Sequence, residues 1–231
     1  MLRELLSSDL GLLTATIALF LAARVLHQRS RVMLLHPVLL TFVAMIFVVK
    51  WLEVPYADYR RATAILDFAL GLSVVSLGYL LYEQVERLGR NLLPILVATL
   101  GGCVAGILSV VWIAALLGAD RVILHSIAPK SVTVPIAVAV AEPLGAILSL
   151  TSVVVFCTGI FGAIFGPRIL LLGGVRTPEA TGFALGAASH GVGTARAIEL
   201  GVVQGAMSGL AMALMGVATA LLMPLIAQYL Y

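Results

Sequence analysis

The sequence predicts an all-α integral membrane protein that crosses the bilayer several times. Hydrophobic residues make up 61% of the 231 positions and charged residues only 11%, whereas soluble domains average about 25% charged residues. Residues 91–119, 143–167 and 200–231 contain no Asp, Glu, Lys or Arg. Because about 20 apolar residues in a helix cross a hydrocarbon core of roughly 30 Å, each of these stretches is long enough to span it.

Helices are favoured over barrel strands because the long stretches are apolar on every side. Barrel strands alternate apolar and polar residues over about ten positions, and Ile107–Leu117 shows no such alternation. Backbone groups in lipid must be paired within the segment, as a helix does. We predict a transporter-like polytopic bundle of about seven or eight transmembrane helices, in one integral membrane domain over residues 1–231. The segments lie near 10–26, 34–52, 64–82, 92–118, 122–142, 145–172, 180–200 and 203–228.

Composition also excludes several classes of function. A formal net charge of +3 is too small to indicate a nucleic-acid partner. Cys103 and Cys157 each lie in an apolar run, which predicts two buried thiols and neither a disulfide nor a metal pair. We therefore expect no cofactor, no metal and no enzymatic activity.

Two prolines interrupt the fifth predicted segment. Pro129 and Pro135 each remove a backbone donor and disfavour the preceding helical turn. We expect a helix that ends near Ile127, an extended stretch, and a half-helix beginning at Thr133 or Val134, with Thr133 as its N-cap. The candidate site residues of this stretch are Pro129, Lys130, Ser131 and Thr133.

Two glycines interrupt the seventh segment. Gly191 and Gly193 permit backbone conformations closed to other residues, and Thr194 could cap a helix that continues beyond them. The string begins like G-x-G-x-x-G, but Arg196 stands at the last glycine position and no strand precedes it, so a nucleotide-binding loop is excluded. The candidate site residues here are Ser189, His190, Gly191, Gly193, Thr194 and Arg196.

The two interruptions together predict an anion site. Discontinuous helices direct free N–H groups and the positive ends of their dipoles into a cavity at membrane depth. Lys130 and Arg196 add two cations to the same apolar region, so the expected ligand is a small carboxylate. His190 or Glu199 is the candidate group for proton coupling, because histidine titrates near neutral pH.

The same residues leave alternatives open. Lys130 could occupy an interfacial loop with its ammonium group in water, and a lysine at the centre of a membrane helix costs about 2.5–3.5 kcal/mol. Arg196 and Glu199 are three positions apart and could form a structural ion pair. His190 could be a packing residue hydrogen-bonded to a carbonyl.

Small residues predict close helix packing. The spacing small-xxx-small lets helix backbones approach, and we interpret it here mainly as packing within the chain. The pairs are Gly102/Gly106, Gly162/Gly166, Gly182/Gly186 and Gly205/Gly209. The third predicted segment has small residues at Gly71, Ser73, Ser76 and Gly78, which indicate a helix pressed against another backbone or lining a cavity.

Several of these motifs resemble the LrgB/CidB family, most strongly over residues 65–231. Residues 129–137 resemble the family's PKSVTTPIA, with Val134 in place of a threonine. Residues 158–167 resemble TGIFGAVFGP, residues 188–197 resemble ASHGIGTARA, and residues 205–212 resemble GAFSGLAM. Leu72 and Leu80 stand where the family has prolines, so the third span is expected to be less broken here.

The resemblance implies two kinds of function. Bacterial members are regulators of murein hydrolase export and autolysis that act with a small LrgA/CidA-type membrane partner. Related proteins, including a plastid glycolate/glycerate translocator and pyruvate facilitators, move small 2-oxo or 2-hydroxy carboxylates. We expect a multi-pass, homo-oligomeric protein of the cytoplasmic (inner) membrane that transports small monocarboxylates, with the antiholin-like role as the alternative.

Overall fold

The computed structural model of the chain describes residues 2–30, 35, 37–66, 68–69, 72, 79, 82 and 92–229. Within those ranges every regular element is a helix and there is no strand, which confirms the all-α prediction. Most of the third predicted segment, near 64–82, lies outside the described residues. The same is true of Gly71, Ser73, Ser76, Gly78 and Leu80.

The chain divides into two compact units, residues 1–72 and 73–231. The helices of the first unit are α1 (Leu2–Ser7), α2 (Asp9–Ser30), α3 (Pro37–Leu52) and α4 (Tyr56–Ala62). Leu12 of α2 packs in a small core with Leu52 and Ala62. The prediction of one integral membrane domain stays a prediction.

The second unit contains both segments in which the sequence predicts an interruption. Its helices are α5 (Leu92–Leu116), α6 (Arg121–Ile127), α7 (Val134–Ala141), α8 (Leu148–Leu172), α9 (Pro178–Leu200) and α10 (Val202–Tyr229), with a 3₁₀ turn at Glu142–Leu144. Asp120 caps α6 by accepting the Ile123 N–H at 2.9 Å. Thr177 caps α9, and Pro178 occupies its first turn, where no backbone donor is needed.

Four of the described helices are long and apolar enough to cross a membrane: α2, α5, α8 and α10. This supports the prediction of a polytopic helical membrane protein. The second predicted segment corresponds to α3, which has 16 residues, and the fifth corresponds to α6 and α7. The total of seven or eight spans stays a prediction.

The core of the second unit contains residues from α5, α6, α7, α8 and α10. α9 packs against this core through Ala187. Lipid tails are as apolar as these side chains, so close packing holds the helices together more than removal from water does. The buried cluster consists of Cys103, Ile107, Val111, Leu124, Ala128, Val132, Ala137, Val155, Met215, Ala218 and Met223.

Glycines bring α9 and α10 into backbone contact. A Cβ on Gly182 would overlap the backbone of Gln204, and one on Gly186 would overlap the backbone of Ser208. This confirms packing within the chain for that small-residue pair. A Cβ on Gly209 would have no atom of the described residues within 4 Å, so this glycine takes no part in the contact between α9 and α10.

The two cysteines differ in environment. Both thiols are free, and Cys103 is buried with its Sγ 3.4 Å from Thr219 Oγ1. Cys157 is exposed, so the prediction that both are buried was wrong. The buried positions of α8 are Thr151, Val155, Gly159 and Ala163. Cys157 falls between them on the other face, which an all-apolar stretch cannot reveal.

Candidate functional site

The first interruption has the boundaries that its prolines predict. α6 ends at Ile127 and α7 begins at Val134, with Thr133 at the N-cap in an extended conformation (φ −66°, ψ 151°). Pro135 lies in the first turn of α7. Pro129 is fully buried. The chain therefore leaves helical structure for a short stretch that carries the predicted polar residues.

Within this stretch the polar side chains have few partners. Lys130 Nζ donates to Ser131 Oγ at 3.1 Å, and both side chains are partly buried. Lys130 has no carboxylate partner among the described residues. Thr133 Oγ1 is buried, has no hydrogen-bond partner in the described part of the chain, and makes no cap bond. A buried hydroxyl without a partner costs about 1–3 kcal/mol. A polar ligand that formed a hydrogen bond with the Thr133 hydroxyl would remove this cost.

The second interruption lies at His190, not at the glycines. His190 has φ 43° and ψ −131°, whereas Gly191 and Gly193 have no positive φ. The expectation that these two glycines supply the unusual conformation was wrong. Gly193 is needed for space instead, because a Cβ there would overlap the carbonyl of Leu185.

The ring of His190 is fixed against α8. Its Nε2 donates to the Val155 carbonyl at 2.9 Å, and the residue is 5% exposed. Gly159 makes room for the ring, because a Cβ there would lie 2.7 Å from His190 Cε1. Gly162 makes room for Ser189 in the same way. The packing role that the sequence left open for His190 is therefore observed.

Thr194 ties the interruption to α10. Its Oγ1 donates to the His190 carbonyl at 2.8 Å and lies 2.9 Å from Ser208 Oγ. Thr194 is inside α9 and does not cap a helix, contrary to the prediction. The hydroxyl instead pairs the carbonyl at the interruption. Val155, Gly159, Gly162 and Ser208 were not among the predicted site residues, although the motifs at 158–167 and 205–212 contain three of them.

Arg196 and Glu199 form an ion pair. Arg196 Nη1 lies 2.7 Å from Glu199 Oε2, and the side chains are 35% and 55% exposed. This is the structural pairing that their spacing allowed. Lys130 and Arg196 thus have different partners, and no hydrogen bond or ion pair among the described residues joins the two interruptions directly. α8 and α10 contact both of them.

The unusual backbone of His190 yields a stability prediction. We expect His190→Ala to lower the thermal unfolding midpoint more than His190→Gly does. Both variants lose the ring contact with Val155, but only alanine keeps a Cβ at a φ of 43°, which costs about 1–3 kcal/mol. Thermal unfolding of the two purified variants in detergent measures the difference. An alanine variant that is as stable as the glycine variant would contradict the prediction.

A pocket of about 740 Å³ lies elsewhere in the second unit. Its described lining is apolar except for Glu179, and none of the predicted site residues contributes to it. The lining residues are Pro94, Ile95, Ala98, Val175, Glu179, Ala180, Phe183, Ala184, Val203 and Met207. They come from the start of α5, the connection before α9, the first half of α9 and the start of α10. The described lining therefore contains none of the cationic groups that a carboxylate ligand needs.

Comparison with known proteins identifies the family. The chain is 36% identical to the uncharacterized protein YxaC of Bacillus subtilis over 91% of this chain and 92% of that protein. It is 29% identical to the holin-like protein CidB of Staphylococcus epidermidis, over 94% of each chain. No solved structure matches the chain. The model of the LrgB-like family matches residues 16–229, so this multi-pass membrane protein belongs to the LrgB-like family.

Proposed function

We propose that the chain is a secondary transporter or exporter of small monocarboxylates such as pyruvate, glycolate or glycerate, in the cytoplasmic membrane. The observation that carries this proposal is the stretch between α6 and α7. Among the described residues, the partly buried ammonium group of Lys130 has no carboxylate partner and the Thr133 hydroxyl has no hydrogen-bond partner. A carboxylate ligand would neutralise the first and accept a hydrogen bond from the second.

The start of α7 adds to this site. The first turn of a helix leaves backbone N–H groups without partners inside the helix, and the helix dipole favours an anion there. Pro129 and Ser131 complete the group around Lys130. In the proposal, α6 and α7 are the two parts of one discontinuous membrane helix or hairpin, which presents these groups at membrane depth.

The interruption at His190 supplies the second part of the proposed path. Ser189, His190, Gly191, Gly193 and Thr194 form its wall. Arg196 is the second cation, and it would bind the anion in exchange for its contact with Glu199. His190 or Glu199 carries the coupling proton. A histidine whose Nε2 donates to a carbonyl has its other ring nitrogen available to accept a proton.

Uptake measurements test the proposed transport. Purified protein is reconstituted into proteoliposomes, with and without a small LrgA/CidA-type partner, and uptake of labelled pyruvate, glycolate and glycerate is measured. We expect saturable uptake of at least one of these carboxylates, and we expect a pH gradient to stimulate that uptake. Protein-free liposomes are the control. Uptake at the control level under every condition would overturn the transport proposal.

Thr133 provides a variant that separates binding from folding. We expect Thr133→Val to keep or raise the thermal stability, because it removes a buried hydroxyl that has no partner. The same variant should weaken carboxylate uptake, since valine cannot donate a hydrogen bond. Thermal unfolding and uptake are measured on one preparation. A variant that transports as well as the parent would exclude Thr133 from the site.

The second candidate function is an antiholin-like regulator that oligomerises with an LrgA-type partner. The name of the CidB relatives, holin-like protein, favours it. Gly182 and Gly186 are used inside the chain, whereas an added Cβ on Gly102 would meet no atom of the described residues within 4 Å, so this position could contact another chain. This candidate expects a lysis phenotype that survives Lys130→Ala and is lost in Gly102→Leu. If the chain is a transporter, we expect carboxylate uptake to be lost in Lys130→Ala and to survive in Gly102→Leu.

A further inference from the structure

Helix α9 reverses direction at His190. A Cβ on Gly193 would overlap the Leu185 carbonyl and lie 2.6 Å from Ser189 Cβ. Residues eight positions apart in a straight helix are separated by about 12 Å along its axis. The contact between residues 185 and 193 is therefore possible only if the chain folds back at His190, where the backbone is not helical.

The entering limb of α9 runs antiparallel to α8 and stops near its middle. Contacts pass from Gly166 with Leu185, through Gly162 with Ser189, to Val155 with His190. In these contacts the residue numbers decrease along α8 as they increase along α9, so α8 and the entering limb of α9 are antiparallel. Since α8 extends over Leu148–Leu172, the reversal lies close to its midpoint.

The returning limb leads back to the level where α9 began. Ile198 packs against Gly205, Thr194 against Ser208, and Gly191 against Met212, which is an antiparallel arrangement with α10. The entering limb is parallel to α10, because Gly182 contacts Gln204 and Gly186 contacts Ser208. Both ends of α9 therefore lie beside the start of α10. A limb of about ten residues is about 15 Å long, half of a hydrocarbon core.

The α6–α7 segment shows the same course from the end of α5. Ser131 Oγ lies 3.6 Å from the position of an added Cβ on Gly106, close to the middle of α5. His125 Nδ1 then donates to the Leu144 carbonyl at 3.0 Å, and Ser126 Oγ accepts the Ile147 N–H at 2.8 Å. These bonds bring the chain after α7 back beside α6, so Lys130 and its neighbours form the tip of a second hairpin.

The two hairpins enter from opposite faces. They are joined by α8, whose 25 residues extend about 37 Å, enough to cross the membrane. The first hairpin ends where α8 starts, and the second begins where α8 ends. Ala128 and Val132 of the first tip belong to the same core cluster as Val155, and Ala187, next to the second tip, packs against that cluster. Both tips therefore pack on one apolar cluster.

We infer that residues 120–147 and 173–201 are two re-entrant hairpins that enter the membrane from opposite faces, with one ligand site between their tips. The site is bounded by Lys130, Ser131 and Thr133 on one side and by Ser189 and His190 on the other. Its ligand is a small carboxylate, and this part rests on the proposed function. Each hairpin separates the site from its own face, as the inverted repeats of secondary transporters do. The topology itself does not depend on any ligand.

Cysteine labelling tests the topology without any transport assay. Leu117→Cys, Pro143→Cys, Arg176→Cys and Val202→Cys are made singly in a Cys157→Ala background, which removes the exposed native thiol. A membrane-impermeant maleimide is applied to intact and to permeabilised cells. The inference expects residues 117 and 143 to label from one side, and 176 and 202 from the other. If either segment crosses the membrane, the cysteines near its two ends label from opposite sides, which would overturn the inference.

Protection by substrate tests the position of the site. Ser131→Cys in the same background is labelled in proteoliposomes by a small thiosulfonate reagent, with and without pyruvate or glycolate. The expected result is a loss of labelling with the carboxylate present, and no change in Leu117→Cys. If Ser131→Cys transports carboxylate but is labelled equally with and without it, the ligand site does not lie between the tips. If uptake fails but residues 117 and 143 label from one side and 176 and 202 from the other, the proposed function is overturned and the hairpin topology is retained.

Discussion

Gly186→Leu is expected to lower the stability of the second unit by about 3 kcal/mol, the upper end of the usual cost of overpacking, or to abolish its folded state. A Cβ at this position already overlaps the Ser208 backbone. Backbone atoms of a helix cannot move aside as a side chain can, so α9 and α10 would have to separate. Because α9 also holds His190 against α8, separation would release the whole hairpin. The thermal unfolding midpoint and the size-exclusion profile in detergent measure the effect.

Gly209→Leu is the matched control for this variant. It introduces the same side chain in α10, but an added Cβ at Gly209 has no atom within 4 Å. A leucine also has a higher helix propensity than glycine, by up to about 1 kcal/mol. We therefore expect this control to be as stable as the parent or slightly more stable. Equal destabilisation of the two variants would show that the α9–α10 contact is not specific to Gly186.

Lys130→Ala is expected to lower carboxylate uptake by about 10–150-fold while the protein remains folded. Hydrogen bonds to charged groups contribute about 1.5–3 kcal/mol, and each 1.4 kcal/mol is about tenfold in affinity. The loss of folding energy is small, because the ammonium group has only Ser131 as its hydrogen-bond partner among the described residues. Initial uptake rates at several substrate concentrations separate weaker binding from slower turnover.

Two further variants make the Lys130 result specific. Lys130→Arg keeps the positive charge but changes its shape, so partial activity is expected. Arg168→Ala removes a cation from the end of α8, outside the proposed site, and should leave uptake unchanged. Loss of uptake in the Arg168 variant would indicate a general effect of surface charge. Full uptake in Lys130→Ala would exclude this residue from the anion path.

The sequence predicted features that depend on a few neighbouring residues. Pro129 and Pro135 indicated the boundaries of α6 and α7, because proline acts on its own turn. The spacing of Gly182 and Gly186 indicated close packing for a similar local reason. The motifs from residue 129 onward were enough to identify the family, which the match over residues 16–229 confirms.

The features that were missed depend on contacts between distant parts of the chain. Glycine was expected to supply the unusual φ at the second interruption, but His190 supplies it because its ring is held by Val155. A local rule cannot include that bond. Nor does an interruption show whether the chain continues across the membrane or turns back. That depends on contacts such as Gly193 with Leu185 and Ser131 with Gly106.

The reversal within α9 has a consequence for how the protein is assembled. Although α9 has 23 residues, it is not among the described helices that are apolar enough to cross a membrane. With His190, Arg196 and Glu199 along its length, it gains little from entering lipid alone. The ribosome makes it before α10, whose backbone lies against Gly182 and Gly186. The contacts of α9 with α8 can form as soon as α9 is made, whereas its contacts with α10 can form only after the later helix is inserted.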